Sequence, residues 1–456
     1  MNQSSSIFKK LLRFYSRGEE KPPLENSDEI DRLYRRCRLS VIVTLTLGYG
    51  FAYTCRLGLS VIKKPLIDLG IFSPEQLGWI GAAYLWGYGA GKVFNGFLAD
   101  RVNVRIFIPT GLAISALFNL AMGNNTFVYV AIALWGANGW FQGFGAPSSV
   151  VSITQWFSGR RRGTMYGIWS GAHSLGEGLT YFGTAALVSV TTWNAAFIGP
   201  GFTCLVVAVA LYFGLRDRPQ TMGLPPVNEW AGQEPEASES ESTPGSATSA
   251  QLAVLKMPAI WIIGLSSALM YVTRYAINNW GVLYLQEAHG FSLTAAGGLI
   301  GVNTISGIGG CVAYGYISDR FFAARRPPLT LMFGIVEILS LLLIFYCPKG
   351  DVTLLTIGFV FYGFTLSGLL AVLGGLFAVD LAPKRAAGAA MGIIGVFSYI
   401  GAGIQELVSG SLIGQSITIV DGVRQYDFSL PIMFWLGASV LSMILAASQW
   451  RVKVKD

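Results

Sequence analysis

Long apolar segments alternate with short polar ones over most of this chain. Twelve of them approach or exceed the roughly 20 residues that a helix needs to cross about 30 Å of hydrocarbon. Because a spanning segment must satisfy its own backbone polar groups, each is predicted to be a helix and the protein an all-α integral membrane protein. The predicted spans are 39–62, 77–99, 106–123, 127–157, 163–189, 194–215, 257–286, 292–317, 328–347, 352–379, 386–414 and 429–449.

A polar stretch divides the twelve spans into six and six. It is rich in Glu, Ser, Pro, Gly and Thr, the composition of a flexible linker. The predicted parts are an N-terminal segment at 1–38, a six-helix bundle at 39–215, the linker at 216–251, a second six-helix bundle at 252–450 and a tail at 451–456.

Basic residues are distributed unevenly between the two sides of the membrane. They concentrate in the N-terminal segment and in alternate loops, whereas the opposite loops hold only Lys63, Lys64, Lys349 and Arg424. Under the positive-inside rule, the N-terminal segment, the linker and the C-terminal tail are all predicted to be cytoplasmic. The basic residues behind the net charge of +7 are then explained by the orientation of the chain in the membrane and by contact with anionic lipid. This charge does not indicate nucleic-acid binding, because no soluble module carries a basic surface with exposed aromatics.

Composition narrows the class of protein further. Of the 456 residues, 52% are hydrophobic and 12% charged, against about 25% charged in soluble domains. The five cysteines are scattered and there are only two histidines, so neither a disulfide framework nor a metal centre is expected. No cofactor is implied, the start of the chain does not resemble a cleaved signal peptide, and an integral-membrane phosphatase is poorly supported.

Two arginines interrupt apolar spans at corresponding positions of the two halves. Arg56 ends Tyr53-Thr54-Cys55-Arg56 and Arg274 ends Tyr271-Val272-Thr273-Arg274. An arginine at the bilayer centre costs roughly 2.5–3.5 kcal/mol on insertion scales, so it is expected to face a polar cavity or a partner. The alternative is a structural ion pair or a side chain that snorkels to the interface. The repeat favours one cationic site between two pseudo-symmetric halves, which is typical of a transporter for an anion.

A loop motif also repeats between the halves. Gly-Phe-Leu-Ala-Asp100-Arg101 follows the second span, and Gly-Tyr-Ile-Ser-Asp319-Arg320 follows the eighth. Parallel halves of this kind place a substrate site near the midplane. The acidic and basic pairs are expected to latch the cytoplasmic side through ion pairs and helix dipoles, without touching substrate.

Taken together, these motifs resemble the major facilitator superfamily and, more closely, its organophosphate:phosphate antiporter family. The resemblance extends from about residue 38 to residue 450. It is carried by Gly48 to Arg56, Asp100 to Arg105, Gly139 to Gly145, Trp156-Phe157-Ser158, Trp169 to Gly176, Arg218-Pro219-Gln220, Gly223 to Pro226 and Leu381 to Gly388. It implies the major facilitator fold, two pseudo-symmetric six-helix bundles, in the inner membrane of a bacterium.

The resemblance also implies a function. We expect exchange of a sugar phosphate, above all glucose 6-phosphate, for inorganic phosphate by rocker-switch alternating access, in a monomer. Two alternatives stay open: a hexose-phosphate sensor acting on a membrane histidine kinase, and an antiporter for another ester such as glycerol 3-phosphate. The chain departs from the family at Leu57, where a lysine is frequent, and at Ala402 and Gln405, where some hexose-phosphate transporters carry Asp and Lys.

By position, Arg56 and Arg274 match the family's paired substrate arginines, Lys92 its helix 2 lysine and His173 its helix 5 histidine. Arginine suits this role because its planar fork meets two phosphate oxygens at once and stays charged. A histidine can adjust its charge with a phosphate monoester, since both titrate near neutral pH. The alternatives are a salt bridge for Lys92 and plain packing for His173.

Further candidates are aromatic or acidic. The aromatic side chains are Tyr49, Tyr53, Trp169, Tyr271, Tyr275 and Tyr362, and the alternative for each is packing or an interfacial belt. Tyr53 and Tyr271 each lie one helical turn from an arginine. Glu177 and Glu406 are expected to neutralise cavity cations, with proton relay as the other hypothesis. Glu337 has no assigned role.

Overall fold

The computed structural model describes residues 14–99, 101–232, 254–322, 326–377 and 387–450. The helices of the first half are α1 (Ser27–Ala52), α2 (Thr54–Val61), α3 (Lys63–Asp68), α4 (Pro74–Ala99), α5 (Val104–Met122), α6 (Val128–Gln142), α7 (Gly145–Trp156), α8 (Gly159–Ser189), α9 (Ala195–Gly214) and α10 (Val227–Trp230). Those of the second half are α11 (Pro258–His289), α12 (Leu293–Phe321), α13 (Arg326–Tyr346), α14 (Val352–Ala371), α15 (Ala387–Ser416) and α16 (Ser429–Ser448).

All twelve predicted spans are helical where the structure describes them, but two are broken. The first consists of α1 and α2, and the fourth of α6 and α7. The second break lies at a close approach: a Cβ on Gly143 would stand 2.7 Å from the backbone nitrogen of Lys92. The tenth span continues past α14 as a π-helical turn at Val372–Leu376.

Within the described ranges, eight helices are long and apolar enough to cross a membrane by themselves: α5, α9 and all six long helices of the second half. The other predicted spans are the two broken ones together with α4 and α8. In the two broken spans, each helix is too short to cross a membrane alone. In α4 the glycines lower the mean hydropathy, and in α8 the arginines and glycines do so. Because glycine has no side chain, it lets two helix backbones approach closely, which suits helices that pack at an interface.

The helices pack as two groups that meet along two seams. Within the first half α4 packs on α6, α5 on α9 and α1 on α8, and within the second α12 packs on α14 and α11 on α15 and α16. The seams between the halves are α4 against α15 and α8 against α12. The exact domain limits at 215 and 251 stay predictions.

The first part of the predicted linker is more ordered than expected. Residues 216–232 belong to the predicted flexible linker, yet the Asp217 carboxylate accepts from the backbone nitrogens of Gly18 and Val104, at 3.0 and 3.1 Å. Trp230 stacks on Tyr34 with ring centroids 4.3 Å apart. The linker prediction therefore fails for this first part, because a buried carboxylate and an aromatic pair anchor it. Residues 233–251, 451–456 and 1–13 of the predicted segments lie outside the described residues.

A two-stranded hairpin follows α15, although only helices were predicted. Strand β1 (Ile417–Val420) pairs antiparallel with β2 (Val423–Tyr426). The turn residues Asp421 and Gly422 have φ of 52° and 77°, the left-handed backbone that a tight hairpin turn requires. The side of the molecule that carries this hairpin is called the hairpin end, and the side that carries Arg101, Arg160 and Arg320 the basic end.

Candidate functional site

Arg56 lies on α2, just past the break in the first span, in a box of tyrosines. Its guanidinium carbon is 5.0 Å from the ring centre of Tyr53, 5.6 Å from Tyr84 and 4.5 Å from Tyr88. Its Nη2 donates a hydrogen bond of 2.7 Å to the hydroxyl of Tyr275 in the other half. Aromatic faces attract a cation, so the box holds a buried positive charge without neutralising it.

Arg274 approaches the same tyrosine from the second half. Its guanidinium carbon is 5.6 Å from the ring centre of Tyr275 and 5.9 Å from that of Tyr271. Its Nη2 lies 2.8 Å from Oε1 of Glu177 on α8. Tyr275 thus contacts both arginines, and the predicted pair does meet across the interface of the halves.

The two arginines differ in charge compensation. Glu177 neutralises Arg274, as expected of a charge-balancing carboxylate, and the ion pair joins α8 to α11. In the part of the chain that the structure describes, no carboxylate pairs with Arg56. Among the described residues, therefore, the charge of Arg274 is compensated by a carboxylate and that of Arg56 is not.

His173 and its aromatic neighbours line the same region from the first half. The imidazole Nδ1 lies 2.5 Å from the carbonyl of Ser170, which can only accept, so Nδ1 carries the proton. Nε2 is 3.3 Å from the hydroxyl of Ser174, and the ring centre lies 6.1 Å from that of Tyr53. With both nitrogens engaged in this way, the imidazole ring is held in one orientation.

Tyr49 connects this group to Trp169. The ring centres of Tyr49 and Trp169 lie 4.7 Å apart, and those of Tyr49 and Tyr53 lie 5.5 Å apart. The Nε1 of Trp169 and the hydroxyl of Tyr84 are buried and have no hydrogen-bond partner in the described part of the chain. Orphaned buried groups are costly, so two polar groups here are available to a ligand.

Two predicted site residues stand apart from the arginines. Lys92 is exposed towards the basic end, and its Nζ lies 5.8 Å from the ring centre of Tyr399, which in turn lies 5.1 Å from Tyr88. Tyr362 is fully buried and donates 3.1 Å to the carbonyl of Thr273. Tyr362 therefore positions the backbone next to Arg274, and its hydroxyl donates to that backbone.

The sequence prediction missed four residues of this region: Tyr84, Tyr88, Tyr399 and Lys63. Tyr84, Tyr88 and Lys92 recur at four-residue spacing, which places them on one face of α4 and could have identified them. Lys63 was assigned to a loop because it follows the first apolar span, and nothing in its neighbourhood showed that it would be buried.

Glu406 forms a second polar cluster between the halves. Its Oε2 lies 2.9 Å from Nζ of Lys63 and accepts from Nε1 of Trp280 at 3.1 Å, and Asn279 donates to Oε1. A cavity of about 310 Å³ separates this cluster from Arg56. The expected neutralising role of Glu406 thus applies to Lys63.

The family-variable positions lie beside this cluster. Ala402 is fully buried, and Gln405 donates 2.9 Å to Ser409 within its own helix, so neither replaces the missing charges. Glu337 accepts from Ser439, which joins α13 to α16 away from the arginines.

The two ends of the molecule differ in how tightly the halves meet. On α8, a Cβ on Gly178 would lie 3.5 Å from the hydroxyl of Thr304 in the second half. A Cβ on Gly163, Gly167 or Gly171, nearer the basic end of the same helix, would have no described residue within 4 Å. The same contrast holds on α4 between Gly78 and Gly96, and on α15 between Gly410 and the pair Gly392 and Gly395. The hairpin end is closed and the basic end is open.

Ion pairs complete the closure of the hairpin end. Lys64 contacts Glu287 of the other half, and Arg424 lies 3.8 Å from Asp68. At the basic end, Asp100 and the side chain of Asp319 lie outside the described residues. Arg101 and Arg320 are exposed, so the predicted latch at Asp100-Arg101 and Asp319-Arg320 stays a prediction.

Comparisons with known proteins agree with this architecture. A model of the Major Facilitator Superfamily matches residues 45–405. The chain is 32% identical to the glycerol-3-phosphate transporter of Bacillus subtilis (94% of this chain, 96% of that protein). It is 31% identical to the membrane sensor protein UhpC of Salmonella typhimurium (86% and 89%) and 29% identical to the hexose-6-phosphate:phosphate antiporter of Escherichia coli (83% and 84%).

Solved structures support the fold alone. The chain is similar to a bacterial homolog of the human lysosomal transporter Spinster in an inward-facing, unoccupied conformation. The TM-score is 0.68 at 16% identity, over 92% of this chain and 95% of that one.

Proposed function

The chain belongs to the Major Facilitator Superfamily, in its organophosphate:phosphate antiporter branch, and on that basis we propose that it exchanges a sugar phosphate for inorganic phosphate. The expected sugar phosphate is glucose 6-phosphate. The protein has the fold of a transporter and is not an enzyme. The proposed mechanism is a rocker-switch movement of the two halves about a central site.

The observation that carries this proposal is the meeting of Arg56 and Arg274 at Tyr275. One arginine comes from each half, and a phosphoryl group offers three oxygens, enough for both guanidinium forks. Among the described residues, Arg56 has no carboxylate partner. The hydroxyl of Tyr84 and the Nε1 of Trp169 nearby have no hydrogen-bond partner there. A phosphate monoester would supply the missing charge and accept from these donors.

Glu177 gives the exchange a physical basis. A dianionic phosphate approaching Arg274 competes with the carboxylate that already holds it at 2.8 Å. Binding therefore exchanges one bridge between the halves, Glu177 to Arg274, for another in which the ligand spans Arg56 and Arg274. When the ligand leaves, the Glu177 bridge forms again and holds the empty site together. Net transport without a counter-substrate is then slow.

We further propose that the basic end faces the cytoplasm, with both termini on that side and the described conformation open inward. The basic residues of the alternate loops support this orientation. The membrane is the bacterial inner membrane, and the working unit is a monomer. Lys92 and Tyr399 then line the cytoplasmic approach to Arg56.

Counterflow into proteoliposomes tests the proposal. Vesicles loaded with phosphate should take up labelled phosphate, and glucose 6-phosphate should compete while unphosphorylated glucose does not. Glycerol 3-phosphate and phosphoenolpyruvate complete the panel, because the Bacillus relative is named for the first of these. Strong competition by an ester other than glucose 6-phosphate would retain the antiporter and replace its substrate.

A second candidate function is a sensor that binds a hexose phosphate and acts on a membrane histidine kinase. The sensor relative, 31% identical over 86% of this chain, favours it. A sensor would keep Arg56, Arg274 and their tyrosines, since binding alone needs them. Binding of glucose 6-phosphate by purified protein with no counterflow in liposomes would identify the sensor, and robust counterflow would exclude a purely sensory role.

A further inference from the structure

Four arginines converge on an open cleft at the basic end. It is formed by the N-terminal part of α1, the start of α8 and the short helix α10. The cleft spans about 1140 Å³ of space that is continuous with solvent. This arginine cleft is lined by Arg35, Arg38, Ser158, Arg160, Arg161 and Trp230.

Among the described residues, three of the four arginines have no carboxylate partner. Arg35 has an exposed partner, Asp31, at 4.0 Å. Among the described residues no carboxylate pairs with Arg38, Arg160 or Arg161. Burial and the neighbouring charge of Arg161 lower the pKa of Arg38, which shows that like charges are crowded together here. Without an anion this arrangement is electrostatically unfavourable.

Arg38 is held rigidly in place. Its guanidinium carbon lies 4.6 Å from the ring centre of Phe157 and 5.2 Å from that of Trp230. Its Nε is buried and has no hydrogen-bond partner among the residues that the structure describes. A guanidinium stacked between rings loses little further freedom when it binds a planar or tetrahedral oxyanion, so the site is preorganised.

Ser158 points to the same kind of ligand. It precedes α8, a helix of 31 residues, and is only 6% exposed, yet its side chain makes no capping bond. Its hydroxyl has no partner in the part of the chain that the structure describes, although the residue lines the cleft. At the start of α8, Arg161 and Arg162 donate their backbone N–H groups to the carbonyl of Ser158, which leaves those of Gly159 and Arg160 to favour negative charge. The Ser158 hydroxyl beside them lines the cleft and can donate to an anion's oxygen.

The depth of the cleft indicates where the anion comes from. Arg38 directly precedes the first apolar span, and Arg161 precedes the fifth by a single residue. On α1, Leu39 and Val43 project outward from the protein beside the cleft. Arginines at this level meet lipid phosphates, and acyl chains can pass along the apolar face below them.

We propose that the arginine cleft binds the phosphate head group of an anionic phospholipid. The lipid would fasten α10 and the start of α8 to α1 on the cytoplasmic side of the first half. This site is separate from the transport site and does not depend on which ester is carried.

Native mass spectrometry of the full-length protein tests the proposal, with phosphatidylglycerol titrated into a zwitterionic detergent. The wild type should retain phosphatidylglycerol in preference to phosphatidylcholine. The double variant Arg38→Gln/Arg161→Gln should bind it about 10-fold more weakly, equivalent to ~1.4 kcal/mol. Ser158→Ala should weaken it less, and Arg161→Lys should keep most of it. Arg36→Gln is the matched control, because Arg36 is on the same helix but does not line the cleft.

A second arm separates lipid from free phosphate. If excess inorganic phosphate leaves the retained lipid in place, the lipid assignment stands. If phosphate displaces it completely, the cleft is a site for soluble phosphate and the lipid assignment is wrong. Equal retention by the double variant and the wild type, or an equal loss in Arg36→Gln, would overturn the proposal.

Discussion

Lys63 and Glu406 form an ion pair between the two halves, with Nζ and Oε2 2.9 Å apart and side chains only 2% and 0% exposed. Nζ also lies 3.4 Å from the ring centre of Trp280. Removing one member of so buried a pair strands the other charge, which typically costs about 3–5 kcal/mol. The pair belongs to the closed hairpin end, so opening that end must separate it.

A double-mutant cycle on this pair should show strong coupling. Lys63→Met and Glu406→Gln should each lower the thermal unfolding midpoint, and the double variant should be more stable than the sum of the two effects by about 2–3 kcal/mol. Lys64→Met is the control, since the Lys64 side chain is 29% exposed and its pairs are worth less. Additive effects of the two substitutions would show that the pair does not hold the halves together.

The charge-conserving variants Arg56→Lys and Arg274→Lys should abolish most of the phosphate counterflow. Lysine keeps the charge but loses the fork, and Arg56→Lys also disturbs the bond to Tyr275. We expect a loss of roughly 10- to 100-fold or more, as for the loss of a charged hydrogen bond of ~1.5–3 kcal/mol. Arg105→Lys is the control, because Arg105 contacts Tyr212 at the surface. Wild-type flux in either site variant would refute the role of the paired arginines.

Glu177→Gln should tighten phosphate binding while slowing exchange. Without the carboxylate, the ligand no longer displaces a competitor from Arg274, so the dissociation constant should fall about 10-fold, or ~1.4 kcal/mol. Counterflow should slow because release leaves Arg274 unpaired. Glu75→Gln, at an exposed site on α4, should change neither quantity. Calorimetry and counterflow on the same preparation check this, and weaker binding by Glu177→Gln would contradict it.

Cysteine labelling should reveal the open end. In a background without native cysteines, Gly167→Cys should react with a membrane-impermeant thiol reagent applied from the cytoplasmic side. Gly178→Cys on the same helix should not, because a Cβ there already lies 3.5 Å from Thr304. The contact at Gly178 is of ordinary van der Waals length, so the control variant should fold. Equal labelling at both positions would contradict the closed hairpin end.

The sequence predicted the helices well because length and hydropathy determine membrane spans almost alone. It located Arg56 and Arg274 because a charge within an apolar span requires a functional explanation. It did not predict that Tyr275 would contact both arginines or that Glu177 would pair with Arg274. These contacts depend on how the two halves face each other, and residue spacing within one helix carries no information about that.

The same limit explains the errors. From its position after the first apolar span, Lys63 was expected in a loop. Instead it is buried in an ion pair with Glu406, which lies more than three hundred residues later in the chain. The ordered part of the linker depends on the stacking of Trp230 with Tyr34, a contact that no local composition encodes. The hairpin after α15 was predictable in principle from Asp421-Gly422, a dipeptide that favours tight turns.

The unfilled glycines at the basic end also have a thermodynamic consequence. Each glycine in a helix interior costs roughly 0.5–1 kcal/mol relative to alanine. At Gly163, Gly167, Gly392 and Gly395, no contact with another described residue offsets that cost in this conformation. We infer that these residues are shaped for the opposite conformation, in which helices close over them. The free-energy gap between the two states is thereby kept small, so that a ligand of ordinary affinity can shift the populations.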